Sequence, residues 1–458
     1  MIKSIPTPND LNRVAKILLD SGEAGSAEEA ESLLAGYAVS VLVGEDAANC
    51  AAGQAALLSM IVAGRRALLG GVFVDGLLQT GLLVRVRGCK TLAQAVDACG
   101  GKAVVAPAGT PRVRLGYIAG VVQLDGIDLQ CFYDGWRGGV APYCDSLPRS
   151  GKLSFAAAGV LAGAIAISEV FLHCRGGYAP AGRRAVGMSL WNPASTENWM
   201  VEPGDEPKVE FLPTNLWVIG LGHLGQAYLW TLAMLPYSDP TDLHLVLQDF
   251  DRLNKANCST SVLTEIGMEG RYKTREMAAW ADQVGFKTSL IERKFDADFR
   301  IQEDEPPIAL AGVDNSAARA ALEGVGFKRV IDAGLGAGPT EFQTVRLYTF
   351  PGPRKARTIW GKPSTVATLS PQAQRAYRAL REAGLDQCGL TLLAEKTVGA
   401  PFVGLVAASL VVGEVVRGLH GAAPVWACDL NLRSPDDRYV AIGKQHIPLN
   451  PGFCMAAA

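Results

Sequence analysis

The sequence predicts an α/β fold of two tandem halves, each with the strand–helix–strand order of nucleotide-binding folds. Three observations predict it. A glycine series, Gly220-Leu221-Gly222-His223-Leu224-Gly225, stands between a short apolar run at 216–219 and a helical pattern. In the first half the runs 38–44, 51–63 and 71–75 read as strand, helix and strand. The stretches 159–171 and 404–416 repeat each other, with the same spacing from Gly159 to Glu169 as from Gly404 to Glu414, and His173 and His420 follow them. At 458 residues the chain is too long for one ordinary core.

Composition narrows the function classes. Hydrophobic residues make up 49 % and charged residues 19 %, the balance of a globular chain. A formal net charge of −2 argues against non-specific nucleic-acid binding, which needs a basic field to neutralise phosphates. Ten cysteines form no CxxC pair, so no zinc framework is expected. The opening Met1-Ile2-Lys3-Ser4-Ile5-Pro6 has no apolar signal core, and the expected setting is a reducing cytoplasm with free thiols. Two apolar stretches, 155–168 and 402–413, end at Glu169 and Glu414 and fall short of the roughly 20 residues that span a bilayer. They read as helices buried in protein, and no membrane partner is expected.

Along the chain, residues 1–35 read as two short helices, the first entered through Pro8-Asn9-Asp10 as a cap. The turn after the first strand, 44–50, lacks closely spaced glycines. It carries Glu45 and Asp46 where a phosphate would need backbone N–H groups, so the first half reads as a nucleotide fold without a nucleotide. The first domain is expected at 1–178, a linker at 179–212 and the second domain at 213–458, with a long crossover at 351–399. Gly176-Gly177, Pro180, Pro193, Pro203-Gly204 and Pro207 mark the join.

Four groups in the second half carry the chemistry. Gly220, Gly222 and Gly225 permit a tight turn, close backbone approach to phosphate and close helix–strand packing. The bland alternative is a turn that only packs, and the motif alone does not separate ATP from NAD or FAD. Asp249 ends the next strand pattern with Asp251 beside it. It is suited to accept from ribose hydroxyls, against the alternative of a solvated carboxylate. Lys273 stands at a helix start, where a cation opposes the helix dipole unless an anionic ligand is present. Asp314-Asn315 follows the buried run 308–313. Aspartate there is either the cap of the helix at 316–322 or a Mg²⁺ ligand at the carboxyl end of a strand.

Together these stretches resemble the adenylation domain of the ubiquitin-activating enzyme superfamily, which includes ThiF-like and molybdopterin-synthase-adenylating proteins. That family carries a GxGxxG turn, an Asp-x-Asp followed by Ser-Asn-x-x-Arg-Gln, a lysine, and Asp-Asn after a strand. The matching stretches are Gly220 to Gly225, Asp249-Phe250-Asp251, Ala256-Asn257, Lys273 and Asp314-Asn315, within a resemblance over roughly residues 211–454. It implies two tandem Rossmann-like ThiF-type domains, the first an inactive pseudo-adenylation copy and the second the active one. It implies ATP and Mg²⁺, with Asp249 on the ribose, Asn257 and Lys273 at the phosphates, and Asp314 holding Mg²⁺ and the acyl end. The compact two-lobed plan is similar to the activating enzymes of bacterial ubiquitin-like conjugation operons, antiphage systems among them.

Two departures stand out. The family arginine falls on Thr260, so Arg252, Arg271 or an arginine of the first half must substitute, or activity is weak. The paired zinc cysteines of many relatives are absent, with Pro351-Gly352-Pro353-Arg354-Lys355 in the place of one pair and only Cys454 near the other.

Cys388 is the expected nucleophile. It follows a helix signalled by Ser370, Pro371 and Gly384, inside the basic crossover, with Arg378, Arg381 and Lys396 to favour a thiolate. Cys258 is the rival inside the nucleotide motif, and Cys428 reads as a buried strand cysteine. The expected function is ATP-dependent activation of a ubiquitin-like protein for transfer to a ubiquitin-conjugating enzyme, and a homodimer is compatible with the sequence. Three alternatives stay open: adenylation for sulfur transfer without a thioester, a scaffold weakened at Thr260, and a nicotinamide-dependent oxidoreductase. The Asp-x-Asp, Lys273 and Asp314 speak against the last, since hydride transfer needs none of them.

Overall fold

Each half is built on a sheet that is parallel on one side and antiparallel on the other. The computed structural model describes residues 11–118, 120, 126–144, 147–148, 150–151, 155–201, 204–360, 371–382 and 397–457. The chain opens with α1 (Arg13–Ser21) and α2 (Ala27–Ala35). The cap of α1 is Asn12, whose side chain accepts from the N–H groups of Val14 and Ala15 at 2.8 and 3.2 Å. The Pro8-Asn9-Asp10 expected to cap it lies outside the described residues.

The first sheet follows. β1 (Ala38–Val43) leads through α3 (Glu45–Ala48) and α4 (Ala51–Ala67) to β2 (Gly71–Gly76). Then come α5 (Leu92–Ala98), β3 (Arg112–Leu115), β4 (Asp128–Asp134), β5 (Arg137–Pro142), α6 (Ala156–Arg175) and β6 (Val186–Ser189). The strand order is β2-β1-β3-β4-β5-β6. The stretch 179–212, expected to be a linker, therefore contributes the last strand of this sheet, which pairs with β5. Four residues between glycines and prolines are too few to show a period of two.

The second half opens with β7 (Phe211–Pro213), β8 (Asn215–Ile219), α7 (His223–Met234) and β9 (His244–Gln248). α8 (Asn257–Thr260), α9 (Lys273–Val284), β10 (Lys287–Ile291) and β11 (Ile308–Ala311) come next. After α10 (Ser316–Ala320), β12 (Arg329–Leu335) and β13 (Thr344–Phe350), the crossover holds α11 (Ala356–Trp360) and α12 (Pro371–Glu382). The chain ends with α13 (Pro401–Leu419), β14 (Val425–Asn431), β15 (Tyr439–Ile442) and β16 (Phe453–Met455). The larger sheet runs β10-β9-β8-β11-β12-β13-β14-β15, and β16 pairs with β7.

Without β10 and β15, the second sheet reads β9-β8-β11-β12-β13-β14, strand for strand the topology of the first. In both, the first three pairings are parallel and the last two antiparallel. The repeated helices α6 and α13 occupy the same place, between the last two of these strands. Their glutamates also play one role. Glu169 Oε2 accepts from the N–H of Gly182 at 2.7 Å, and Glu414 Oε1 from that of Val425 at 2.9 Å. Burial pushes both carboxyls up from their ordinary range.

At 20 and 19 residues, α6 and α13 are long enough to cross a bilayer, so the length argument drawn from their apolar runs does not hold. Burial inside the protein decides instead: side chains of both halves form one continuous core around them. Phe171 meets Phe402 with ring centroids 5.5 Å apart, and Trp230 of α7 donates to Ser59 Oγ of α4 at 3.0 Å.

Candidate active site

The glycine turn sits at the carboxyl end of β8, an interior strand of the second sheet. Gly220 has a φ of 85°, which glycine adopts without steric cost. A Cβ at Gly225 would overlap the carbonyl oxygen of Gly220, so helix and turn touch through backbone alone. Nothing lies within 4 Å of where a Cβ on Gly222 would stand. That face of the turn is open, and Gly222 is followed by the N-terminus of α7.

Asp249, just past β9, holds this turn. Its Oδ2 accepts from the N–H of Leu221 at 2.7 Å and its Oδ1 from that of Asp251 at 2.8 Å. Lys273, the first residue of α9, donates to Asp251 Oδ2 at 3.1 Å and lies 3.9 Å from Asp249 Oδ2. The cation at a helix start, unfavourable by the dipole alone, is thus compensated by two carboxylates. Asn257 opens α8, and its side-chain oxygen accepts from the N–H of Asn254 at 2.9 Å.

Asp314 stands in the loop after β11, next to β8. The cap of α10 is Asn315, whose side chain accepts from the N–H groups of Ala317 and Ala318 at 2.8 and 3.2 Å. The structure thus assigns the capping role to the neighbour. The Asp314 carboxylate is exposed and makes no hydrogen bond or ion pair among the described residues. Gly220, Gly222, Gly225, Asp249, Lys273 and Asp314 meet at the ends of adjacent parallel strands, the usual ligand position of such sheets.

Sequence reasoning missed the support beneath Asp314. Buried Arg319 donates through Nε to the carbonyl of Val313 at 2.7 Å and through Nη2 to that of Ala333 at 2.8 Å. It faces Asp332 at 3.7 Å, and its guanidinium lies 4.4 Å from the ring centre of Trp360. Burial pushes the Asp332 carboxyl up to about 6, against the pull of Arg319. A charged residue on the helix directly after Asp-Asn was the available signal.

Cys388 lies outside the described residues. The nearest described helix, α12, rests on α1, where the Tyr377 hydroxyl donates to Asp20 Oδ1 at 3.0 Å. Burial pushes both rival thiols, Cys258 and Cys428, above the ordinary thiol range, that of Cys428 to about 12, so both are held protonated. Thr260 is buried. Arg252 is engaged with the carbonyl of Gly270 at 2.6 Å and the ring of Tyr272 at 3.8 Å, and exposed Arg271 pairs with Glu276. From the first half, the backbone N–H of Arg13 donates to Ser259 Oγ at 2.9 Å, and the guanidinium of Arg66 donates through Nε to the Cys258 carbonyl at 3.1 Å, both on α8.

The first half differs at the equivalent turn. Asp46 accepts from the N–H of Tyr117 at 2.8 and 3.1 Å, and a Cβ at Gly44 would overlap the Tyr117 carbonyl. A carboxylate of this turn thus ties it to the loop after β3. Among the described residues of the whole chain, no group of three His, Cys, Asp or Glu is placed to hold a metal ion.

Comparison with known proteins places this architecture. Residues 38–190 match the BilD N-terminal domain and residues 212–422 the BilD C-terminal domain. The chain is 43 % identical over 412 residues to the bacterial E1-like protein BilD of Collimonas sp. (strain OK412), covering 90 % of this chain and 89 % of that one. Among solved structures it is similar to E. coli MccB, with a TM-score of 0.34 and 14 % identity over 51 % of this chain and 62 % of MccB, less than two thirds of that protein. It is also similar to the E. coli tRNA N6-threonylcarbamoyladenosine dehydratase TcdA, with a TM-score of 0.29 and 16 % identity over 45 % of this chain and 86 % of that one. With two domain matches in order and a relative this similar along nearly its whole length, the chain belongs to the bacterial E1-like BilD family.

Proposed function

We propose that the second half uses ATP to adenylate the C-terminal carboxylate of a ubiquitin-like protein, and that a cysteine of this chain then takes the acyl group as a thioester for a ubiquitin-conjugating enzyme. The first half is an inactive copy that buttresses the site, its turn filled by Asp46. The setting is a reducing cytoplasm and the purpose bacterial antiphage conjugation. One observation carries the reading: an open glycine face at Gly222 lies beside the unpartnered carboxylate of Asp314, at the ends of neighbouring strands.

The residues fit the groups the family implies. The open turn and the α7 N-terminus offer N–H groups to phosphates. Asp314 is the kind of lone exposed carboxylate that holds Mg²⁺ together with phosphate oxygens. When bound, Mg²⁺ would neutralise phosphate charge. Lys273 adds a cation and Asn257 a side-chain amide at the phosphate region, and Asp249 keeps a lone pair on each oxygen for ribose hydroxyls. A carboxylate is a poor acyl donor. Its oxygen attacks the α-phosphorus, pyrophosphate leaves, and the mixed anhydride is reactive at carbonyl carbon. Positioning and charge neutralisation supply most of the acceleration. The thiolate of Cys388 then attacks that carbon, AMP leaves and the thioester forms.

The test is ATP–pyrophosphate exchange with a ubiquitin-like protein, followed by a non-reducing gel, for wild type and Cys388→Ala. Exchange in both, with a thiol-sensitive adduct in wild type only, is the expected result. An adduct that persists in the variant moves the nucleophile elsewhere, and exchange without any adduct favours adenylation for sulfur transfer. Thr260 favours a second reading, a catalytically weakened scaffold, which ATP binding without exchange would support.

A further inference from the structure

His223 is both a residue of the glycine turn and the first residue of α7. Its ring lies against the chain as it returns from the crossover. A Cβ at Gly404 of α13 would overlap Nε2 and lie 2.6 Å from Cδ2. One at Gly399 would lie 3.5 Å from Nδ1 and 3.0 Å from the Cγ2 of Thr260. Gly399 is thus close to both the ring and the residue that stands in place of the family arginine. Nε2 is buried and accepts no hydrogen bond. Burial pushes the imidazole down to about 4 against the opposing effect of the Pro401 and Ala400 backbone, so the ring carries no charge at neutral pH.

The first half supplies a control. There Gly159 of α6 makes the same close approach to the start of α4, where a Cβ would overlap the Ala52 carbonyl. The helix crossing is a property of the duplicated fold, and the ring wedged into it belongs to the second half alone.

We infer that His223 is a positioning residue that keys the glycine turn to the exit of the crossover, its ring seated in a notch made by Gly399 and Gly404. The place where the crossover ends then sets the place of the turn's N–H groups. Thr260 belongs to the same arrangement: crossover backbone packs where a longer side chain at 260 would need room. The inference rests on the reading of the turn as the ATP site.

The experiment is a double-mutant cycle on the full chain, His223→Ala, Gly404→Ala and both, read by melting temperature without nucleotide and by KM for ATP in pyrophosphate exchange. Gly404→Ala is expected to raise KM about tenfold in wild type and less than twofold in the His223→Ala background, where the methyl has room. His223→Ala is expected to raise KM with kcat within twofold, whereas a merely structural role would lower kcat through lost active protein and leave KM in place. Equal effects of Gly404→Ala in both backgrounds, or an unchanged KM in His223→Ala, overturn the inference. A wild type that neither binds ATP nor exchanges removes the functional reading. The melting-temperature cycle then still decides whether the ring fills the notch.

Discussion

The Asp249 carboxylate accepts a hydrogen bond from the N–H of Leu221 at 2.7 Å, so the end of one strand holds the turn at the end of its neighbour. A hydrogen bond to a charged group contributes about 1.5–3 kcal/mol. Asp249→Ala releases the turn as well as removing the proposed ribose acceptor, and ATP affinity is expected to fall by roughly 10- to 100-fold. Calorimetric titration checks this, and an unchanged affinity removes Asp249 from the site.

Gly222 and Gly225 separate binding from folding. A methyl at Gly222 meets nothing within 4 Å, so Gly222→Ala should leave stability within about 0.5 kcal/mol while weakening ATP binding. A methyl at Gly225 overlaps the Gly220 carbonyl, and Gly225→Ala should cost about 3 kcal/mol. Thermal melts paired with ATP titrations distinguish the two, and equal melting losses would contradict the open face.

Asp314 has no capping duty, because Asn315 performs it. Asp314→Ala should therefore leave the melting temperature unchanged and lower pyrophosphate exchange by roughly 100-fold or more. ATP should still bind without Mg²⁺, and the enhancement of binding by Mg²⁺ should be lost. Retention of that enhancement would place the cation elsewhere.

Asp332 makes stability depend on pH in a stated direction. Its carboxyl is raised from about 3.9 when unfolded to about 6 when folded. Its contribution is therefore fully present below about pH 4 and lost as pH rises through about 6, a change on the order of 2–3 kcal/mol at most. Asp332→Asn should gain stability relative to wild type as pH rises from 4 to 7. His223, lowered to about 4, has the opposite sign over this window, but it is common to both proteins and cancels in the difference. Denaturant melts at several pH values measure this, and a flat difference refutes it.

With Asp46 filling the turn of the first half, nucleotide binding should saturate at one ATP per chain. A stoichiometry of two would show that the first half is not an empty copy.

The two-part α/β plan, the repeated helices and the order of the candidate site residues are legible in the chain alone. Glycine spacing, strand-end carboxylates and apolar runs are local properties, and they follow from backbone geometry wherever the chain lies. The rest emerges only when distant segments pack together. Asp314 and Asn315 are equivalent as caps in sequence, and only the folded chain shows that Asn315 accepts from the first N–H groups of α10. The apolar runs of α6 and α13 could not tell a membrane from a core, because both are apolar; packing against the other half separates them. The strand at 186–189 was too short to have a period and exists because β5 offers it an edge. Arg319 beneath Asp314, the Tyr117 N–H that Asp46 of the first turn accepts from, and His223 in its notch depend on contacts between segments far apart in the chain, which no local pattern encodes.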